Sequence, residues 1–278
     1  MKIVLKAVVD LGSKAARLLI AEVDKSNLQI HSSKGFLTML GQNLDHNALN
    51  RLNNALRAFA YLTDRAGIKS EEVIAYGTEV FRRHPELCYR VQTVFPQFRV
   101  ITGVEEARLS FASAVLSQKE LVENQRIVVV DQGGGSLELS YGYKYEELLI
   151  IEEALSFPNF GTFNYPEDRR KFAEELILKL PSREELMERR PKGAYAMVGM
   201  GSVITQLAFL LSAKPDYRIE DVNGLIVRRH EIKRRARKQQ SIAAFLDVLD
   251  HFYLSEMYVS GWGIRHGALF ADRILIRK

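Results

Sequence analysis

The sequence predicts an α/β protein built as two similar domains, and three observations lead there. A unit of buried strand, Asp, tight Gly/Ser turn and return strand occurs twice, as VVDLGSKAARLLIAEV and VVVDQGGGSLELSYG, about 120 residues apart. Short β-branched apolar runs alternate with stretches of helical periodicity along the chain. The length of 278 residues suffices for two domains of ordinary size.

In chain order, residues 3–10 are β-branched and apolar and read as a strand. Gly12 and Ser13 turn the chain, and 18–23 read as the return strand. Residues 27–38 alternate loosely, as a third strand does. From 46 to 66 the apolar Leu49, Leu52, Leu56, Phe59 and Leu62 keep helical spacing, and Gly67 stops that helix. Strands are predicted at 73–76 and 98–101, a helix start at Gly77-Thr78, and a helix over 104–118. The pattern then repeats, with a strand at 126–131, a Gly-rich turn at 132–136, a return strand at 137–141 and a third strand at 146–155. Helices follow at 166–179 and 181–190, a strand at 194–198, and a Gly-rich turn entering a helix in GMGSVITQLAFLL. Further helices are predicted at 229–237, 241–259 and 264–274. The domain boundary is expected in the polar stretch 117–125, giving domains of 1–118 and 119–278.

Composition narrows the function classes. Thirty-nine Lys and Arg against 34 Asp and Glu give a net charge of +5, which suits a polyanionic partner. Much of the excess lies in 226–240, IVRRHEIKRRARKQQ, which is either a solvated helix face or a docking surface for a phosphate polymer. It lacks interleaved aromatics, so nucleic acid is not the expected partner. The single Cys88 excludes an internal disulfide and a Cys-based metal cluster. No apolar run reaches bilayer length, and Asp10 interrupts the N-terminal one too early for a signal peptide. The expectation is a cytoplasmic protein without a membrane partner.

The repeated hairpin carries the chemistry. Glycines let backbone N–H groups approach a phosphate closely, and a Ser hydroxyl adds a donor. An Asp beside a phosphate repels it unless a divalent cation or a positioned water lies between them. Two such hairpins facing one another would grip a polyphosphate from both sides.

These segments resemble the exopolyphosphatase/guanosine pentaphosphate phosphatase (Ppx/GppA) family, within the actin-like ATPase superfamily. DLGSKAARLLIAEV is similar to that family's first phosphate motif and DQGGGSLEL to its second. ITGVEEARLSFASAV is similar to the segment holding its catalytic glutamate, and AYGTEVFRRHPE to the one whose Arg contacts phosphate. TMLGQNL, VGMGSVITQLA and SGWGIRHGAL match a loop and two later Gly-rich signatures. The resemblance implies two actin-like (ribonuclease H-like) domains, each a mixed five-stranded sheet flanked by helices, with the active site in the interdomain cleft. A last helix at about 265–278 is expected to pack back on the first domain.

By resemblance Glu106 is the general base, with Glu105 the alternative if the register is off by one. Asp131 and Glu138 position the water and, with Asp10, hold Mg²⁺ or another divalent cation. Phosphate binding falls to Asp10, Gly12, Ser13, Lys14, Arg17, Arg82, Gly133, Gly134, Gly135 and Ser136. Gly199, Gly201 and Ser202 line the distal end of the cleft. The implied reaction is metal-assisted attack of water on the terminal phosphoryl group of polyphosphate or guanosine pentaphosphate, in a protein for which a homodimer is plausible.

The chain departs from the family at Lys14-Ala15, where Asn-Ser is usual, at Glu79, where Ser is usual, and in RKQQSIAAF, where an Arg-Ala-Asp run is usual. Lys14 either leaves the loop with fewer hydrogen bonds or replaces them with a charge. Three other readings stay open: a non-catalytic sensor that binds polyphosphate or guanosine alarmones, an ATPase or sugar/acetate kinase of the superfamily, and a nucleic-acid-binding module using residues 226–240, which predicts steeply salt-dependent binding.

Overall fold

The computed structural model describes residues 4–24, 27–118, 125–146, 148–158, 166–188, 195–212, 219–237 and 239–276. The first half runs β1 (Val4–Leu11), β2 (Ala15–Asp24), β3 (Asn27–Leu37), α1 (His46–Arg65), β4 (Ile74–Gly77), α2 (Glu79–Arg83), α3 (Cys88–Gln92), β5 (Arg99–Val100) and α4 (Gly103–Ser117). The second runs β6 (Arg126–Gln132), β7 (Ser136–Tyr145), β8 (Leu148–Pro158), α5 (Pro166–Lys179), α6 (Arg183–Glu188), β9 (Ala196–Met200), α7 (Ser202–Ser212), β10 (Ile226–Arg228), α8 (Arg229–Ala236), α9 (Ala243–His251), β11 (Glu256–Val259), α10 (Ile264–Ala268) and β12 (Ile274–Ile276).

The strands form two mixed sheets, ordered β3-β2-β1-β4-β5 and β10-β11-β9-β6-β7-β8-β12. The inner five strands of the second, β8-β7-β6-β9-β11, reproduce the first in order and in strand sense. The repeat holds at single-residue register. Asp10 faces Arg17 across β1 and β2, and Asp131 faces Glu138 across β6 and β7. Each return strand even shifts register at the same place, between Ile20 and Ala21 and between Tyr141 and Gly142.

Three cores stack through the molecule. Buried Leu52, Leu56 and Phe59 of α1 cover one face of the first sheet. Phe172 of α5, Leu207 of α7 and Phe245 of α9 cover the outer face of the second. Between the sheets lie α4 and α10, which share one core with Val8 and Leu19 on one side and Val129 and Ile151 on the other. The two helices touch through small residues. The Ser113 hydroxyl donates to the Gly263 carbonyl at 2.6 Å and accepts from the Gly267 N–H at 2.8 Å. A Cβ at Gly267 would run into the Leu109 carbonyl, so only glycine permits this approach.

Several expectations are corrected. The helix predicted over 241–259 ends at His251. Tyr253 then takes a left-handed φ of 54°, and the chain returns as β11, paired with β9 inside the sheet. The C-terminal helix predicted over 264–274, or about 265–278, is only the five residues of α10. The β-branched apolar Ile274-Leu275-Ile276 then adds to the edge of the second sheet beside β8. The second sheet thus exceeds the expected five strands by β10 and β12. Residues 1–118 hold the first sheet, but α4 at the end of that span packs on β6, β7 and β8 of the second. Most of the expected linker, 119–124, lies outside the described residues. The basic stretch 226–240 becomes β10 and α8, where Arg229 pairs with Asp250 at 2.6 Å and Arg228, Arg234 and Arg237 are partly or fully exposed. Among the described residues no helix is long and apolar enough to cross a membrane.

Candidate active site

Both Asp-turn hairpins point into one cleft of about 290 Å³. Their turns close with the same hydrogen bond, from the Gly12 N–H to the Ala15 carbonyl and from the Gly133 N–H to the Ser136 carbonyl, each 3.0 Å. The first turn is braced by the TMLGQNL loop, whose Thr38, Met39 and Gly41 N–H groups donate to the Lys14 and Ser13 carbonyls at 3.1, 3.0 and 2.7 Å. Backbone bonds thus fix the loop, so Lys14-Ala15 in place of Asn-Ser costs it no closure. The two tips nearly touch. A Cβ on Gly134 would stand 3.4 Å from the Lys14 Cβ, and one on Gly135 would overlap the Glu79 carboxylate.

Acids gather at the floor of the cleft. Glu106, on the first turn of α4, is 12% exposed and accepts from Arg82 Nη1 at 3.1 Å. Burial pushes its pKa up to about 8; Arg82 opposes the rise, and Asp131 and Asp10 add to it. Asp131 accepts from the Ser110 hydroxyl at 2.6 Å, and burial raises its pKa against that bond. Asp10 is raised by burial too, with Arg17 and Arg265 pulling it down. Glu138 is held well above the ordinary range by burial, then by Glu106 and Asp131, while Ser136 and Ser156 hydrogen bonds pull it down. The hairpins differ in charge at matched positions: Asp10 faces a cation, Asp131 faces another acid. The second hairpin therefore carries the surplus negative charge.

Of the residues singled out by sequence, Asp10, Gly12, Ser13, Lys14, Arg17, Glu106, Asp131, Gly133, Gly134, Gly135, Ser136, Gly201 and Ser202 line the cleft. The others do not. Glu105 turns away to cap α4: it accepts from the Thr102 N–H at 2.8 Å and pairs with Arg99 at 2.7 Å. Arg82 is spent on the Ile101 carbonyl, 2.7 Å away, and on Glu106. Glu138 is buried behind the wall with Ser156. Gly199 lies inside β9, where a Cβ would crowd Met257 at 3.0 Å and Phe245 at 3.2 Å, so it serves packing. Gly201 is different. Its φ of 95° and its closeness to the Gln132 carbonyl admit no side chain there.

Sequence reasoning missed part of the wall. Thr78, Thr205, Gln206 and the segment Ser260 to Arg265 also line the cleft, and so does Glu79, which the departure from the family pattern places near it. SGWGIRHGAL marked the last of these without placing it. Its Arg265 is 5% exposed and donates to the Leu18 carbonyl at 2.8 Å, tying α10 to β2 under the first hairpin. Among the described residues no three acid, His or Cys side chains are arranged to hold a metal unaided. Beyond the larger effect of burial, neighbouring acids push Glu106, Asp131 and Glu138 up, which nonetheless marks a site crowded with carboxylates. Oxygen donors crowded in this way suit a hard divalent ion shared with substrate oxygens.

Comparison with known proteins agrees with this geometry. The model of the Ppx/GppA phosphatase family matches residues 14–159. A candidate exopolyphosphatase of Haemophilus influenzae is 25% identical over 95% of this chain and 90% of its own. A bifunctional 3-dehydroquinate synthase/phosphatase of Fusobacterium nucleatum is 27% identical over 73% of this chain, which spans 34% of that relative's length. The solved Aquifex aeolicus PPX-GPPA enzyme superposes with a TM-score of 0.74 at 27% identity, covering 97% of this chain and 100% of that one. With a family match across more than half its length and the same two-sheet, actin-like architecture, the chain belongs to the Ppx/GppA phosphatase family.

Proposed function

We propose that this protein is a phosphohydrolase that releases the terminal phosphate of inorganic polyphosphate or guanosine pentaphosphate by attack of water. The observation that carries the reading is the convergence of both hairpins and Glu106 on one cleft. The names of its Haemophilus and Fusobacterium relatives, an exopolyphosphatase and a phosphatase, support the same class.

In this reading the backbone amides of Gly134 to Ser136 and the cations Lys14 and Arg17 receive phosphoryl oxygens. Glu106 takes the proton from the attacking water. Its pKa of about 8 suits a base at mildly alkaline pH, because it binds the proton firmly and is still ionised often enough to act. Arg82 fixes the Glu106 carboxylate and offsets part of its charge. Asp10 and Asp131 would hold a divalent cation such as Mg²⁺ together with substrate oxygens, and Glu138 would support Asp131 from behind. When bound, the cation supplies neutralisation of the charge on the phosphoryl group.

The test is phosphate release from long-chain polyphosphate and from guanosine pentaphosphate, side by side, with Mg²⁺ and with chelator. Release that requires the metal is expected from at least one of them. Retained binding without release from either would replace this reading with that of a sensor.

A further inference from the structure

Among the described residues, Glu79 is the one acid of the cleft wall that the reaction above does not use. It is 6% exposed, and it stands where the two hairpins converge. The Ser13 hydroxyl donates to its Oε2 at 2.7 Å, and Arg83 grips both carboxylate oxygens from the far side. Gly135 of the opposite hairpin lies so close that any Cβ there would overlap this carboxylate. The third glycine of the Gly-Gly-Gly run thus accommodates Glu79 as well as any ligand. Anionic, held by a serine hydroxyl and an arginine, and set against a glycine turn, this carboxylate has the surroundings that a phosphoryl group would seek.

We propose that Glu79 is a resident anion that determines which phosphate species the cleft admits, an inference that rests on the phosphohydrolase reading. While Glu79 holds the Ser13 hydroxyl, that hydroxyl is not free to meet a ligand, and Lys14 is left as the side-chain donor at the tip of the first hairpin. A naked polyanion arriving there meets a like charge at close range in a poorly solvated site, where such repulsion is far stronger than in water. A phosphoryl group already neutralised by a divalent cation meets much less of it. Glu79 therefore makes the site discriminate for the metal complex of the substrate and against the free polyanion. Removing its charge frees both Ser13 and Arg83 for the ligand.

The experiment is calorimetric titration with inorganic tripolyphosphate, in chelator and again with Mg²⁺, of the wild-type protein, Glu79→Gln and Glu79→Asp. Glu79→Gln is expected to bind free tripolyphosphate about tenfold more tightly, a change of about 1.4 kcal/mol, with a smaller gain for the Mg²⁺ complex. Glu79→Asp, which keeps the charge, is expected to stay within about twofold of the wild type by the same scale. A merely structural role predicts instead that Gln and Asp both loosen the hairpin and weaken binding. Equal or weaker binding by Glu79→Gln, with its melting temperature preserved, overturns the inference. If that variant does not fold, Glu79→Ser removes the same charge and is held to the same outcome. Failure of the wild type and every variant to bind tripolyphosphate in either condition would overturn the phosphohydrolase reading, and this inference with it.

Discussion

Replacing Glu106 by Gln removes the proposed base while keeping a side chain that can accept the Arg82 hydrogen bond. Turnover should fall by about 10² to 10⁴, the usual worth of a general base. The same change has a second, independent signature in stability. Glu106 ionises at about 8 in the folded protein against an ordinary 4.5. Between those values the folded state holds a proton that the unfolded chain has released. The raised pKa therefore contributes stability that is full below about 4.5 and drains away as pH climbs through about 8. Each pH unit is worth about 1.4 kcal/mol, so the loss has an upper bound of about 5 kcal/mol. Because Asp131, Asp10 and Arg82 share the interaction, a loss on the order of 2 kcal/mol is expected. Gln does not ionise and escapes it. Urea unfolding at about pH 5 and about pH 9 should show the variant gaining on the wild type at the higher pH. Equal stability differences at the two pH values would refute the electrostatic argument, and unchanged phosphate release would refute the base assignment.

Three further outcomes follow from the geometry. Glu105→Ala should cost about 1 kcal/mol in denaturant melts through the lost cap of α4, with phosphate release within about twofold of wild type. A large loss of turnover would move the base to Glu105. Gly201→Ala should destabilise by about 3 kcal/mol, because it strains a φ of 95° and drives a methyl into the Gln132 carbonyl. A neutral result in thermal melts would mean that the β9–α7 turn relaxes freely. Gly267→Ala should lower the melting temperature by several degrees, on the order of 2 kcal/mol, by forcing α10 away from α4. An unchanged melting curve would show that contact to be loose.

What the sequence revealed best was what repeats. Asp, Gly and the return strand recur at identical offsets, so the two hairpins pair from the sequence alone, and the register bears out the pairing to the residue. Helix α1 was legible too, since one apolar stripe and the Gly67 stop specify it, and the structure adds an Asp45 cap. What stayed hidden depends on partners far away in the chain. The segment 241–259 is apolar enough for one long helix, and only its pairing with β9 makes its end a strand. Ile274-Leu275-Ile276 reads equally well as helix or strand until the β8 edge is there to receive it. The choice between Glu105 and Glu106 was one of register. Thr102 and Arg99 capture Glu105, and of the two acids it is Glu106 that lines the cleft. Glu79 looked like a departure from a pattern, and only the approach of Gly135 across the cleft shows what it faces.

The seating of α4 on the second sheet divides the cleft in a way that chain order conceals. Glu106, Ser110 and Asp131 ride on one body, joined through α4 and β6, while Ser13, Arg17, Glu79 and Arg82 ride on the other. If the two bodies rock against each other, Glu106 and Asp131 keep their spacing. The contacts that part are Arg82 with Glu106 and the two hairpin tips with each other. In the proposed reaction, grip on a phosphate chain would tighten or slacken while Glu106 and Asp131 keep their spacing, like a vice whose working edge is fixed to one jaw.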